Sequence, residues 1–347
     1  MGMLTSRVVR GQDLSPSDIQ AWDALCKSWP HLRTPFFSPH YARAVAAVRP
    51  GVYICVLQRG SAPVGFFPFQ FANPLYRALG AAERVGEEMT DHFGLIAEPD
   101  LRVDAQSLLK LAGLHHVDFT HLDESQLTFG LEGERPQIGY VMHFDSGGNY
   151  WEELRRSNRK YVSETERKER QLQGKCGPLR FCWSETDWRE PLRVIIRRKS
   201  EQYVRTGKDD WLATQWKQRL LEVLASSDAE TCRGVLSTLY AGDTWVASHF
   251  GLRCCGVLHY WFPVYNTELG QYGPGHLLRR ALIAGATEHG IHTVDHGLGD
   301  ALHKRVCTNA VQTYYRGAWF TPGAAAVFCR AAYSARWRWA RLRKANA

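Results

Sequence analysis

Two stretches about half a chain apart follow the same pattern, and this internal repeat limits the folds open to the chain. Residues 52–69 and residues 235–252 each contain two β-rich runs on either side of a tight turn. Aligning Gly60 with Gly242 also aligns Val64 with Val246. Glycine supplies the turn, and the flanking β-branched and aromatic residues suit paired strands. The repeat therefore predicts duplicated units, each containing a β-hairpin.

The length and composition are those of a globular protein of two domains. The chain has 347 residues, of which 44% are hydrophobic and 22% charged. No run of about 18 apolar residues is present, as a membrane-spanning helix would need. The first residues lack the apolar core of a signal peptide, so we expect a soluble, cytoplasmic protein. The formal net charge of +8 favours anionic partners. The nine cysteines are odd in number and form no C-x-x-C pair, so we expect reduced thiols and no metal.

The segment from residue 151 to 173 is rich in both signs of charge and predicts one long helix, with stop signals at Gly174 and then at Gly177-Pro178. Its basic residues are open to two interpretations. They form either a solvated helix face or a phosphate-facing surface at a domain junction. The residues concerned are Arg155, Arg156, Arg159 and Lys160.

The most informative stretch follows the second hairpin. It contains an apolar run from His259 to Tyr265, a loop that ends in Gly273-Pro274-Gly275, and a helix with an apolar stripe up to Gly290. Residues 291–297 then predict a short buried strand. In an arrangement of strand, glycine loop, helix and strand, the free N–H groups at the helix start can hold a pyrophosphate.

Several motifs in this region resemble those of a known family. The pattern Gly-Pro-Gly-x-Leu-Leu at residues 273–278 is followed by Asp295, Gly299-Asp300 and Lys304. This resembles the acetyltransferases named for cellulose biosynthesis, the CelD/BcsL type of the GNAT superfamily. The basic segment before Gly174 is similar to the central helix of the Fem transferases, which are tandem GNAT proteins. Two departures are that His303 replaces the family tyrosine and that Gln271 precedes Gly273 by only two positions.

The resemblance implies an α+β fold of tandem GNAT-like domains, each a mostly antiparallel sheet flanked by helices. The expected organisation is an acceptor domain at residues 1–148, a linking basic helix at 149–178, an acyl-CoA domain at 179–322 and a basic aromatic tail at 323–347. It also implies acetyl-CoA as the acyl donor. The acceptor would be the amino group of a free, nucleotide-linked or lipid-linked sugar in bacterial exopolysaccharide biosynthesis.

Site residues follow from the same resemblance. The CoA pyrophosphate would bind at the helix start, and the pantetheine arm would lie between residues 244–253 and 292–297. His249 is the first candidate for the base, Lys304 would stabilise the oxyanion or thiolate, and Asp295 would orient Lys304 or the acceptor. Alternative bases are His259, Tyr265 and Asp91. The expected cofactor-binding residues are Gln271, Gly273, Gly275, His276 and Leu277, and the expected acceptor-binding residues are Asp91, His92, Arg155, Arg156, Arg159, Lys160 and Tyr265.

Two other functions stay open on the sequence alone. One is a Fem-like transferase that uses aminoacyl-tRNA, and the other is a non-catalytic effector that binds a nucleotide. The tail interleaves six basic residues with aromatic ones from residue 328 onward. Such a composition suits an ordinary terminal helix, contact with the inner membrane, or binding of a cyclic dinucleotide. We do not expect DNA binding.

Overall fold

The computed structural model describes residues 3–145 and 149–323, which fall into two compact units. The first unit comprises residues 3–32, 36–137 and 313–323, and the second comprises residues 33–35 and 138–312. The basic tail predicted from residue 323 onward lies outside the described residues, apart from Gly323 itself. In the described part of the chain, no helix has the length and apolar character that crossing a membrane requires.

The first unit is a mostly antiparallel sheet with helices packed against it. Its elements begin, in chain order, with β1 (Leu4–Arg10), α1 (Pro16–Ser28), α2 (Pro39–Val48), β2 (Val52–Arg59), β3 (Ala62–Gln70), α3 (Pro74–Ala78), β4 (Ala81–Glu83), β5 (Ile96–Ala97), α4 (Ala105–Leu111) and β6 (His116–Asp123). Buried apolar side chains such as Phe67, Leu108 and Trp319 form its core.

The second unit has the same kind of architecture. Its elements are, in chain order, β7 (Arg135–His143), α5 (Tyr150–Ser157), α6 (Arg159–Cys176), β8 (Leu179–Cys182), α7 (Arg189–Arg205), α8 (Gln215–Ala225), β9 (Asp228–Ala229), β10 (Cys232–Ala241), β11 (Thr244–Cys254), β12 (Val257–Tyr265), α9 (Pro274–Gly285), β13 (Thr293–Leu298) and α10 (Leu302–Arg305). The last strand, β14 (Ala310–Phe320), pairs with β6 between Tyr314 and Phe320 and completes the first unit.

The strand orders show where each sheet departs from antiparallel pairing. In the first unit the order is β1-β2-β3-β4-β6-β14, and β4 lies parallel to β6. In the second unit the order is β7-β13-β12-β11-β10-β8, and β12 lies parallel to β13. Both units thus combine an antiparallel hairpin meander with one parallel pair, which agrees with the expected fold class.

The structure confirms the predicted repeat of the two hairpins. In the first, β2 and β3 turn at Gly60, which has a φ of 63°, and in the second, β10 and β11 turn at Gly242, with a φ of 53°. Left-handed backbone of this kind favours glycine. Each hairpin also has a bulge at the same distance from its turn, after Leu57 in the first and after Leu239 in the second.

The central charged segment is two helices and not the single helix that we predicted. Asn158 separates α5 from α6, and its side chain accepts a hydrogen bond from the Tyr161 N–H at 3.3 Å, as a helix N-cap does. The second helix continues past Gly174 to Cys176 and ends at Gly177, which has a φ of 99°. Leu154, Val162 and Leu172 are buried in the core of the second unit. The helices therefore belong to that unit instead of forming a separate link over residues 149–178.

The helix predicted up to Gly290 is also shorter than expected. It begins at Pro274, whose fixed φ suits the first helical position, and it ends at Gly285. Turns then lead to Gly290, which is left-handed with a φ of 66°. Leu277, Leu278 and Leu282 form the buried stripe and join the core beneath β11 and β12.

Candidate active site

The second unit contains an opening between two parallel strands. β12 and β13 pair only from Val257↔Thr293 to His259↔Asp295. Beyond that point β12 stays paired with β11 as far as Tyr265, and β13 stays beside β7 as far as Leu298. The two strands thus separate along the sheet and leave a V-shaped opening, closed at His259 and Asp295.

A bulge lies in each strand where the opening begins. On β12 the register with β11 passes from Phe250↔Phe262 to Leu252↔His259, which places an extra residue on β12 near Tyr260 and Trp261. On β13 the register with β7 passes from Asp295↔Val141 to Leu298↔Gly139, which places one near His296 and Gly297. Bulges turn backbone groups out of the regular ladder and are common beside active sites.

This arrangement corrects one part of the predicted site. We expected a pantetheine arm between residues 244–253 and 292–297, which lie on β11 and β13. These strands are not neighbours, because β12 lies between them. The strands that border the opening are β12 and β13.

The start of α9 lies beyond the wide end of the opening, since β12 runs into it through the 3₁₀ turn Thr267–Tyr272. Gly273 caps the helix in a left-handed conformation with a φ of 61°. Its N–H donates to the Gly270 carbonyl at 3.0 Å, and the N–H groups of His276 and Leu277 donate to the Gly273 carbonyl at 2.9 and 3.2 Å. Among the described residues the Gly275 N–H has no backbone acceptor, so of the predicted donors it is the one available to an anion.

Positive charge from α6 adds to the helix dipole at this point. The Lys168 Nζ lies 3.8 Å from where a Cβ on Gly273 would stand. Lys175 lies over the Tyr272 ring, with its Nζ 5.9 Å from the centroid. Burial, with Arg279 and Lys168 nearby, lowers the pKa of His276 to about 4, so its ring is neutral near pH 7. Gln271 is exposed in the preceding turn. The helix dipole and Lys168 together favour an anionic group at Gly275.

The closed end of the opening holds a histidine–aspartate pair. His259 Nδ1 lies 3.1 Å from Asp295 Oδ2, and both side chains are buried. The other carboxylate oxygen, Oδ1, accepts the Gly297 N–H at 2.7 Å. This arrangement places the proton of the neutral ring on Nδ1 and the lone pair on Nε2, which is the tautomer that a general base needs.

Asp295 thus contacts His259, and its predicted role in orienting Lys304 or the acceptor stays a prediction. Lys304 Nζ donates to the carbonyls of Gly297 at 3.2 Å and Leu298 at 2.7 Å. These contacts hold the bulged end of β13, and the predicted role of Lys304 in stabilising the oxyanion or thiolate stays a prediction.

His249 does not suit the role of base that we predicted for it. The side chain is fully buried, and its ring is stacked on Tyr260 with centroids 4.3 Å apart. Neither ring nitrogen has a hydrogen-bond partner in the described part of the protein. Burial lowers the pKa of His249 to about 3. A group with such a pKa is a weak proton acceptor near neutral pH.

His249→Phe is expected to make the protein more resistant to acid. Because the folded-state pKa of His249 is about 3 and the ordinary value is 6.5, the unfolded chain takes up the proton first as the pH falls. The wild type therefore loses stability between these two values, by up to about 1.4 kcal/mol per pH unit from this group. Phenylalanine keeps the stacking and removes the titration. Urea unfolding at pH 7.5, 6 and 5 measures how the free energy of unfolding changes with pH. If this free energy fell equally with pH in the wild type and in His249→Phe, the low pKa assigned to His249 would be contradicted.

The predicted acceptor residues are divided between the two units. Arg155 is held in ion pairs with Glu152 and Glu166, and its predicted role in acceptor binding stays a prediction. Arg156, Arg159 and Lys160 are exposed on the second unit, where Tyr265 is also 38% exposed at the end of β12.

Asp91 and His92 lie in the first unit, beside β6 and β14. Asp91 Oδ1 lies 3.6 Å from His121 Nε2. His92 is buried, and its Nδ1 lies 3.2 Å from Asp123 Oδ2 while its Nε2 lies 3.2 Å from the Tyr314 hydroxyl. The structure therefore places His92 in a buried network of the first unit, and its predicted role in acceptor binding stays a prediction.

Comparison with known proteins agrees with this geometry. Residues 157–305, which include the opening, α9 and the histidine–aspartate pair, match the acetyltransferase (GNAT) domain. The structure of FemX is similar in fold, with 12% identity and a TM-score of 0.57, and the alignment covers 90% of this chain and 96% of FemX. None of the curated proteins matches the chain in sequence.

A second similar structure is the C-terminal domain (DUF2156) of a putative lysylphosphatidylglycerol synthetase from Agrobacterium fabrum. It has 10% identity and a TM-score of 0.51, and the alignment covers 91% of this chain and 96% of that domain. Residues 157–305 of the second unit therefore match a GNAT acetyltransferase domain, and the chain has a GNAT-like fold.

Proposed function

We propose that the second unit transfers an acyl group from acyl-CoA to an amino group, as an N-acyltransferase of the CelD/BcsL type. The observation that carries the proposal is the separation of β12 and β13 beyond His259↔Asp295, with the start of α9 at the wide end. The Gly275 N–H, the helix dipole and Lys168 would hold the pyrophosphate. The opening would admit the pantetheine arm, whose amides can pair with the unpaired strand edges.

The reaction needs a proton acceptor beside the thioester, and His259 is the residue that we assign. The amine nitrogen attacks the thioester carbonyl carbon, a C–N bond forms, and the C–S bond breaks. The proton lost by the nitrogen passes to Nε2 of His259, while Asp295 stabilises the imidazolium through Nδ1. The His259 imidazolium then gives this proton to the departing thiolate, which leaves as the CoA thiol, and His259 returns to its neutral form. A backbone N–H at the β12 bulge would stabilise the oxyanion.

For the acceptor we propose an amino sugar used in cell-surface polysaccharide synthesis, either nucleotide-linked or lipid-linked. The net charge of +8 favours an acceptor that carries phosphate. In the first unit, α3 and α4 span only Pro74–Ala78 and Ala105–Leu111, too short to match α9. This difference supports a single donor site, in the second unit, and leaves the first unit for the acceptor.

The test is an assay with acetyl-CoA and a panel of free, nucleotide-linked and lipid-linked amino sugars. We expect mass spectrometry to show one added acetyl group and calorimetry to show micromolar binding of acetyl-CoA. Transfer from aminoacyl-tRNA without binding of CoA would overturn the proposed donor in favour of a Fem-like activity. Binding of CoA without transfer to any amino sugar would overturn the proposed acceptor.

A further inference from the structure

We infer that a buried polar cluster at the start of the V-shaped opening binds a carboxylate on the transferred acyl group, so that the preferred donor is the CoA thioester of a dicarboxylic acid. This inference rests on the proposed function and names its donor class. The cluster, which we call the Tyr260 cluster, consists of His249, Tyr260, Arg279 and His296. Its members come from β11, β12, α9 and β13, all in the second unit.

The three other side chains surround the Tyr260 ring. The ring of His249 is stacked on it with centroids 4.3 Å apart, and the ring of His296 lies 5.0 Å away. The guanidinium carbon of Arg279 is 6.0 Å from the Tyr260 centroid. Each side chain is at least nine-tenths buried, since the largest exposed fraction among the four is 6%. The four residues therefore form one contiguous buried group.

Each member of the cluster has polar atoms without a hydrogen-bond partner among the described residues. These are both ring nitrogens of His249, the Tyr260 hydroxyl, Nε of Arg279 and Nε2 of His296. Buried polar groups in native proteins are nearly always paired, because an unpaired one loses its hydration without compensation. So many unpaired atoms around one ring indicate a group that the ligand-free protein lacks.

The charge of the cluster indicates whether the missing ligand group is a cation or an anion. Arg279 is 5% exposed, and its Nη1 donates to the His303 carbonyl at 3.1 Å. Within the described residues no carboxylate forms an ion pair with it. Burial lowers the pKa values of His249 and His296, so both rings are neutral near pH 7. The cluster thus has one buried cation with no anion, and such a charge is costly unless an anion is supplied.

The position of the cluster identifies the part of the donor that meets it. Tyr260 follows His259 on β12, and His296 follows Asp295 on β13. Both therefore stand at the first positions where the strands are no longer paired, next to the proposed base. The acyl group must lie there for His259 to act. The methyl of an acetyl group would leave the polar atoms unpaired, whereas a carboxylate accepts hydrogen bonds from Arg279, Tyr260 and a neutral histidine.

The first test compares donors of equal length on the wild-type protein. We expect calorimetry to show that succinyl-CoA binds about 10- to 100-fold more tightly than pentanoyl-CoA, whose chain has the same length but ends in an ethyl group instead of the carboxylate. Equal binding of the two thioesters would overturn the carboxylate pocket and leave the acyl-CoA proposal standing. Absence of binding by succinyl-, pentanoyl- and acetyl-CoA alike would overturn both.

The second test assigns the preference to Arg279. In Arg279→Met the ratio of the dissociation constants of pentanoyl-CoA and succinyl-CoA is expected to fall to about one. The control, Arg219→Met, removes an exposed arginine of α8 and is expected to keep the wild-type ratio. A preference kept in Arg279→Met would overturn the assignment. Thermal unfolding without ligand gives a second measurement. We expect Arg279→Met to unfold at the same or a higher temperature, since it removes a buried unpaired charge, and a marked loss of stability would indicate a purely structural arginine.

Discussion

Gly275→Asp is expected to abolish CoA binding without disturbing the fold. A Cβ at Gly275 meets no other atom within 4 Å, and the position lies in the first turn of α9. An aspartate there suits the helix dipole and should stabilise the helix by about 0.5 kcal/mol. The same carboxylate would stand where we place the pyrophosphate. We expect calorimetry to show a loss of affinity of about 100-fold or more, which corresponds to ~2.7 kcal/mol.

The matched control is Gly275→Ala, which adds the Cβ but no charge. We expect it to bind CoA within a few-fold of the wild type, because the added methyl has open space around it. Thermal unfolding should show both variants at least as stable as the wild type. If Gly275→Asp bound CoA as tightly as Gly275→Ala does, the pyrophosphate would have to bind elsewhere.

Asp295→Asn is expected to lower kcat by about 10²- to 10⁴-fold. The carboxylate holds the Nδ1 proton of His259 through Oδ2 and the Gly297 N–H through Oδ1. An asparagine keeps the shape and can still accept from Gly297, but it then presents an NH₂ group to His259. That contact favours the tautomer with the proton on Nε2, which cannot accept a proton from the amine.

The control for this prediction is His289→Gln, which changes a histidine that stacks on Trp183 away from the opening. His289→Gln should keep the wild-type kcat, whereas kcat of His259→Gln should fall by as much as that of Asp295→Asn. A pH–rate profile adds a readout that a merely structural effect would not change, because the limb assigned to His259 should disappear in both active-site variants. Wild-type kcat in His259→Gln would exclude His259 as the base.

The sequence predicts the local parts of this fold well. The turns at Gly60 and Gly242 fix the two hairpins, and both the strands and their pairing follow from the alternation around those glycines. The glycine loop and the start of α9 were also predictable from the sequence, because Gly273 and Pro274 have special backbone preferences. Asn158 was missed as a helix boundary, although its side chain is a good N-cap.

The parts of the site that depend on distant pairing were not predictable in the same way. The contact of His259 with Asp295 follows from the register of β12 and β13, which no single segment determines. The same holds for the order of the strands, which placed β12 between the two strands that we expected to border the donor. Arg279 lies at the edge of the apolar stripe of α9, and an arginine there normally reaches solvent, so its burial could not be read from the pattern.

The pairing of β12 with β13 has a consequence for how the protein folds. Each hairpin joins residues that are close along the chain, so it can form within microseconds and nucleate the folding of its own unit. The contact of His259 with Asp295 must instead wait for the closure of a long loop that contains α9, which carries an entropic cost. We therefore expect the proposed catalytic pair to be assembled late, since only three parallel residue pairs hold it. Local opening of the native state should begin at this pairing, where the chain can loosen to admit a substrate while both hairpins stay folded.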